Sequence, residues 1–257
     1  MQKLTWKKPT SLLLYSLLFL CPPPSSVFAQ NTKQDEELPP RKVESLIISD
    51  KRPPEFFFQD MDGEFKPFRI GFQRTGGTNL VPPSSPLILY KKIDPPEVEP
   101  GMEPEQPTYN PVMSLELLSG DDPLLLVFYQ DKTRKMQYRF LEAGPEAFGA
   151  LEIQLINLSD SLKVIAMLDD KSIELKPKSE MRTAGKVSQD KRFSFRYGSV
   201  QPSGDLYVSP ETRLRIPFEN MRLRIFFAPV ERTVQTKDGP KTEMVLRDAR
   251  VFERVQP

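Results

Sequence analysis

Apolar residues recur at every second position along most of this chain, in short runs separated by Pro, Gly, Asp and Asn. That spacing puts alternate side chains on opposite faces of an extended strand. It predicts strands over residues 43–49, 55–59, 65–72, 87–92, 112–118, 124–130, 136–141, 151–157, 162–168, 172–176, 192–197, 212–216, 222–227 and 244–255. No stretch keeps a 3.6-residue period for the length of a helix, and residues 145–150 have room for one helical turn.

Three segments specify facing. Leu151, Ile153 and Leu155 alternate with Glu152 and Gln154; Phe193, Phe195 and Tyr197 alternate with Arg192, Ser194 and Arg196; Leu223, Ile225 and Phe227 alternate with Arg222 and Arg224. Each reads as a strand with one buried and one wet face. Asp169-Asp170-Lys171 and Asp238-Gly239 read as hairpin turns, and Pro240, which cannot donate to a ladder, belongs at a strand start or edge.

Many short strands with turn signals between them predict an all-β chain of two immunoglobulin-like β-sandwich domains in tandem. The first is expected over residues 43–131 and the second over 135–255, with the charged segment 131–135 between them. Residues 94–111 are rich in proline and read as an extended loop on the first domain. No internal repeat is legible.

The N-terminus interrupts this pattern. Lys3, Lys7 and Lys8 precede an apolar run, residues 12–20, and Val27-Phe28-Ala29 supplies small residues for cleavage. This is the layout of a Sec signal peptide, residues 1–29, and places the mature chain in the periplasm or outside the cell. The run is shorter than the roughly 20 residues that span a bilayer. Cys21 follows Leu20, a bulky residue where a lipidation site wants a small one. Residues 30–42, polar and acidic, read as a disordered leader. No later apolar run reaches membrane-spanning length, so stable membrane insertion of the mature chain is not expected.

Composition narrows the chemistry. The 257 residues contain no His and one Cys. Imidazole-based triads, imidazole metal sites, thiolate zinc sites and internal disulfides are excluded. No P-loop, dinucleotide-binding or nucleophile-elbow motif is present, and no cofactor is expected. Catalysis would fall to carboxylates, Lys, Tyr, Ser/Thr or a borrowed cofactor; of the carboxylates, Asp121-Asp122 and Asp169-Asp170 are neighbours in turns, whereas acid/base pairs need facing carboxylates across a cleft, and no Ser-x-x-Lys sits in a convincing context. The mature chain would carry 33 basic and 35 acidic residues, a balance that argues against nucleic acid. The charge is uneven: net −7 over residues 31–123, −1 over 124–180 and +6 over 181–257. That split raises the expectation that the acidic and basic ends dock on each other.

Arg192, Arg196, Arg213, Arg215, Arg222 and Arg224 are the candidate site residues. On the strand pattern they share a wet sheet face, and guanidinium forks match carboxylates and phosphates. Outward positions that only keep strands soluble are the plainer reading. Asp60-Met61-Asp62-Gly63-Glu64 has a faint calcium-loop look but reads as an Asp-Gly turn. Phe57 points away from Phe56 and Phe58, so it is either covered by a second layer or part of a partner patch. Asn157-Leu158-Ser159 matches the glycosylation pattern.

Pro123 to Phe128, Met136 to Phe140, Phe148-Gly149 and Leu155-Ile156-Asn157-Leu158-Ser159 together resemble a loose group of uncharacterised exported all-β proteins of environmental Gram-negative bacteria. The resemblance covers roughly residues 112–180. It implies export and β architecture and carries no activity or site residue. The expected role is non-enzymatic: protein–protein interaction or cell-envelope assembly with an envelope or extracellular protein partner. The alternative is a module holding an anionic glycan or lipid on the Arg face.

Overall fold

The computed structural model describes residues 38–96, 106–147, 149–184, 192–200, 206–236 and 239–255. The expected signal peptide, Cys21 and most of the leader lie outside these residues, as do the centre of the proline-rich segment and Asp238 of the expected hairpin turn; Arg41 and Lys42, expected in the disordered leader, are instead strand, paired with Val81 and Leu80. The alternating pattern folds as strand nearly throughout, and the described part is all-β apart from one 3₁₀ turn, Pro145–Ala147.

Four sheets form. The first inner sheet contains β1 (Arg41–Ile48), β4 (Gly71–Phe72), β5 (Thr78–Val81), β8 (Leu124–Gln130) and β9 (Met136–Glu142). The first outer sheet contains β2 (Phe56–Gln59), β3 (Phe65–Phe68), β6 (Leu87–Ile93) and β7 (Thr108–Leu115). The second inner sheet contains β10 (Glu152–Asn157), β13 (Glu180–Ala184), β17 (Met221–Thr236) and β18 (Gly239–Arg254). The second outer sheet contains β11 (Lys163–Leu168), β12 (Lys171–Leu175), β14 (Arg192–Val200), β15 (Leu206–Val208) and β16 (Thr212–Arg215).

Three apolar clusters stack these sheets in order. One joins the first outer and first inner sheets around Phe56, Phe58, Leu89, Leu126 and Phe128. A central one joins the two inner sheets, with Leu46, Ile48, Leu125 and Val127 against Ile156, Phe226, Ala228 and Val230. A third joins the second inner and outer sheets around Leu155, Val164, Phe195, Leu223 and Phe227. The inner sheets are therefore covered on both faces. This explains β8, whose Leu-Leu-Leu-Val-Phe-Tyr run is buried without alternation. It also corrects the reading of β10: Gln154, expected to be wet, is 3% exposed on the face toward the central cluster.

Both halves use one pairing scheme. β1 runs parallel to β8 and antiparallel to β5, and β8 pairs with β9. β10 likewise runs parallel to β17 and antiparallel to β13, and β17 pairs with β18. The ladder β3-β2-β6-β7 is matched by β12-β11-β14-β15. The repeat that the residues do not display is present in the connectivity, because pairing depends on which positions are apolar and not on which apolar residue fills them.

Residues 131–135 do not separate the halves. They turn β8 into β9 inside the first inner sheet, and the chain passes to the second half only after Glu142. The turn is built like the one between β2 and β3. Asp131 Oδ1 accepts the amides of Thr133 and Lys135 at 2.7 and 3.0 Å, and Asp60 Oδ1 accepts those of Asp62 and Glu64 at 3.0 and 2.9 Å. The proline-rich loop is also shorter than expected, since Thr108 to Pro111 already pair with β6. The strands missed in sequence are β5, β13 and β15. Each is short and polar or flanked by Gly and Pro, so burial and propensity leave little local signal.

Candidate binding face

The six arginines divide into two groups. On β14, Phe193, Phe195 and Tyr197 enter the apolar cluster beneath, so Arg192 and Arg196 point outward. On β16, Leu214 enters the same cluster and turns Arg213 and Arg215 outward. Cross-strand register places Arg192 opposite Arg215 and Ser194 opposite Arg213. Four exposed guanidinium-bearing residues thus share the outer face of the outermost sheet. Like charges directly opposite each other destabilise a strand pair, so this arrangement is not one that folding alone favours.

Local contacts leave the charge of three of them available. Arg196 Nε lies 3.1 Å from Met167 Sδ. Among the described residues, Arg196, Arg213 and Arg215 make no ion pair with a carboxylate. The acids nearby are engaged with Ser194: its Oγ donates to Glu211 Oε1 at 2.7 Å, and its amide donates to Asp169 Oδ1 at 2.8 Å.

Arg222 and Arg224 are elsewhere, and their reading as wet residues is corrected. They are 1% and 2% exposed. They occupy the second inner sheet on the face toward the first half, in line with Phe226 and Ala228. Arg222 Nε donates to Glu253 Oε2 at 2.7 Å, and its Nη2 donates to the carbonyls of Gly144 and Ala143 at 2.7 and 3.2 Å. Arg224 Nη2 donates to the Glu142 carbonyl at 2.5 Å, and its Nη1 lies 3.1 Å from Glu253 Oε1. Burial pushes the Arg224 guanidinium down to about 10, with Glu253 opposing the change. Both arginines therefore fasten the passage between the halves, and neither can meet an external anion.

The expected docking of the basic end on the acidic end takes a different form. The surface joining the halves is the apolar central cluster, edged by the buried arginines and by the ion pairs Arg247–Asp50 at 2.8 Å and Arg134–Glu231 at 2.5 Å. The four exposed arginines lie on the opposite side of the second half.

The remaining candidates resolve locally. Asp60 caps its turn and pairs with Lys66, which holds its carboxyl below the usual range. Asn157 is fully buried: its Nδ2 donates to the carbonyls of Leu162 and Lys176 at 2.8 and 3.0 Å, and its Oδ1 accepts the Ser159 amide at 3.0 Å. It ties the β10–β11 loop to the β12–β13 loop and offers no surface for a glycan. Phe57 is half-buried, edge-on to Tyr109 at 5.3 Å, while Tyr109 stacks on Phe65 at 3.9 Å. Its outward side is covered by neighbouring rings of its own sheet.

Sequence reasoning missed the apolar part of the arginine-bearing face. β15 pairs with the far end of β14, placing Val208 opposite Gly198 and Leu206 opposite Val200. Leu206, Val208 and Val200 are 61%, 51% and 40% exposed. The available signal was Leu206-Tyr207-Val208, an apolar alternation too short to identify alone.

No family model matches the chain, and no curated protein matches it.

Proposed function

We propose that this chain is an exported, non-enzymatic binding protein. It is built as two immunoglobulin-like β-sandwiches in tandem, the first ending with β9 and the second beginning with β10, and it works by contact in the periplasm or outside the cell. Its contact surface is the outside of the second outer sheet, which takes an anionic partner. The observation that carries this reading is the convergence of Arg192, Arg196, Arg213 and Arg215 on one exposed face. Guanidinium groups in that setting bind sulfate, phosphate or carboxylate oxygens through paired N–H donors.

Retention on a sulfated-polysaccharide resin tests it. The wild-type protein should bind at low salt and elute as salt rises. Arg213→Ala/Arg215→Ala should bind at least tenfold more weakly, about 1.4 kcal/mol. Equal retention of the two proteins would exclude the face.

A second reading, addition of a partner strand along β18, is favoured by one observation. β18 pairs with β17 over all 16 of its residues and has no strand on its other side among the described residues. Photo-crosslinkers at Thr242 and Arg250 should then capture an envelope protein that crosslinkers on β13 do not. Equal capture from both edges would count against it.

A further inference from the structure

Resting on the anion-binding reading of this face, we propose that its partner is an anionic phospholipid surface, docked through Leu206, Val208 and Val200 with Arg196, Arg213 and Arg215 at headgroup level.

The argument begins with facing. Gly198, Val200, Leu206 and Val208 lie on the same side of the second outer sheet as the arginines, since residues two apart on a strand share a face and paired residues share it too. The aliphatic groups are not scattered. A Cβ added at Gly198 would stand 3.5 Å from Leu206 Cδ1 and 3.7 Å from Val208 Cγ2, so these side chains close over the glycine and form one patch. The patch is exposed, and exposed aliphatic groups in contact are far less common on a protein surface than single ones.

Charge then identifies the occupant. Along β14, Arg196 is two residues from Gly198, about 7 Å at ~3.3 Å per residue. Arg213 and Arg215 follow on the neighbouring strand, farther from the patch. An apolar patch with cations set back by about one headgroup layer matches a bilayer boundary, where apolar groups enter ~5–10 Å and cations stay with the phosphates. A soluble polyanion uses the arginines and leaves Leu206 and Val208 with nothing to contact. The acid–base pair near the patch, Lys163–Glu174 at 2.8 Å, is internally neutral and does not oppose an anionic surface.

The test is flotation of the full chain with vesicles of phosphatidylglycerol and phosphatidylcholine, compared with pure phosphatidylcholine. Binding should require phosphatidylglycerol and fall as salt rises. Leu206→Asp/Val208→Asp should lose at least tenfold in vesicle binding while keeping its retention on the sulfated resin; Arg213→Ala/Arg215→Ala should lose both. In a Trp6→Phe background, Leu206→Trp should shift its emission to the blue on phosphatidylglycerol vesicles and be quenched by brominated lipid. This second readout stands even if the aspartate variant folds poorly. Resin binding without vesicle binding would overturn the lipid inference and leave the anion reading in place. Vesicle binding with no effect of the aspartates and no quenching of the introduced tryptophan would overturn it as well. Loss of neither binding in the arginine variant would remove both readings.

Discussion

Arg222→Ala loses about 3–5 kcal/mol of stability, read as a lower urea midpoint, although the residue lies on a strand whose sequence looks half solvated. The wild-type guanidinium directs its donors to Glu253 and to the carbonyls of Ala143 and Gly144, with its side chain 1% exposed. Alanine removes the charge that Glu253 faces and strips two backbone acceptors of their donor. It also leaves a void beside the central cluster. Arg224 remains near Glu253 at 3.1 Å and limits the loss. The combined replacement Arg222→Leu/Arg224→Leu/Glu253→Leu should recover much of it, because burying the charged groups costs desolvation that apolar groups of similar volume avoid. A midpoint for Arg222→Ala within about 0.5 kcal/mol of wild type would mean that the guanidinium is solvated, contrary to the contacts described. Retention on the sulfated resin should not change in the folded fraction, since Arg222 is not on the binding face.

Phe226→Ala is the second large effect, also about 3–5 kcal/mol, the range for emptying a buried Phe site. Phe226 and Phe227 are adjacent and both fully buried, but they serve different cores. Phe227 packs beneath the second outer sheet, and Phe226 faces the first half among Leu46, Ile48 and Val127. Because the central cluster draws on both inner sheets, the wild-type protein should unfold in a single urea transition. Phe226→Ala should weaken the coupling between halves, seen as a broadened transition or a second step, and Phe227→Ala should lower the midpoint and keep one step. Two well-separated transitions in the wild type would show that the central cluster contributes little to cohesion.

Much of the fold is legible in the sequence because strand formation is a local matter. The pattern identifies residues 124–130 end to end, and residues 87–92, 136–141 and 192–197 fall within strands that extend them by one to three residues. The turn at Asp169-Asp170 is likewise readable: Leu168 pairs with Lys171 around it, and Asp169 takes a positive φ of 49° that Asp tolerates better than most residues. What fails is pairing at a distance. The segment 131–135 looks like a linker because it is charged, yet charge is equally the mark of a tight exposed turn, and only the ladder between β8 and β9 tells the two apart.

The candidate site shows where sequence stops. Arg192-Phe193-Ser194-Phe195-Arg196 and Arg222-Leu223-Arg224-Ile225 carry one pattern, and alternation correctly assigns every apolar member of both to a buried face. The pattern alone determined that the arginines lie on the other face. Whether that face meets water or protein depends on what packs against the sheet. β14 belongs to an outermost layer and its arginines are exposed; β17 belongs to an inner layer and its arginines are enclosed by the first half. The physical reason is that facing follows from the geometry of one strand, whereas solvation follows from layers assembled out of segments far apart in the chain. The internal repeat, the burial of Arg222 and Arg224 and the aliphatic patch around Gly198 all arise from that assembly, so only the tertiary structure could decide them.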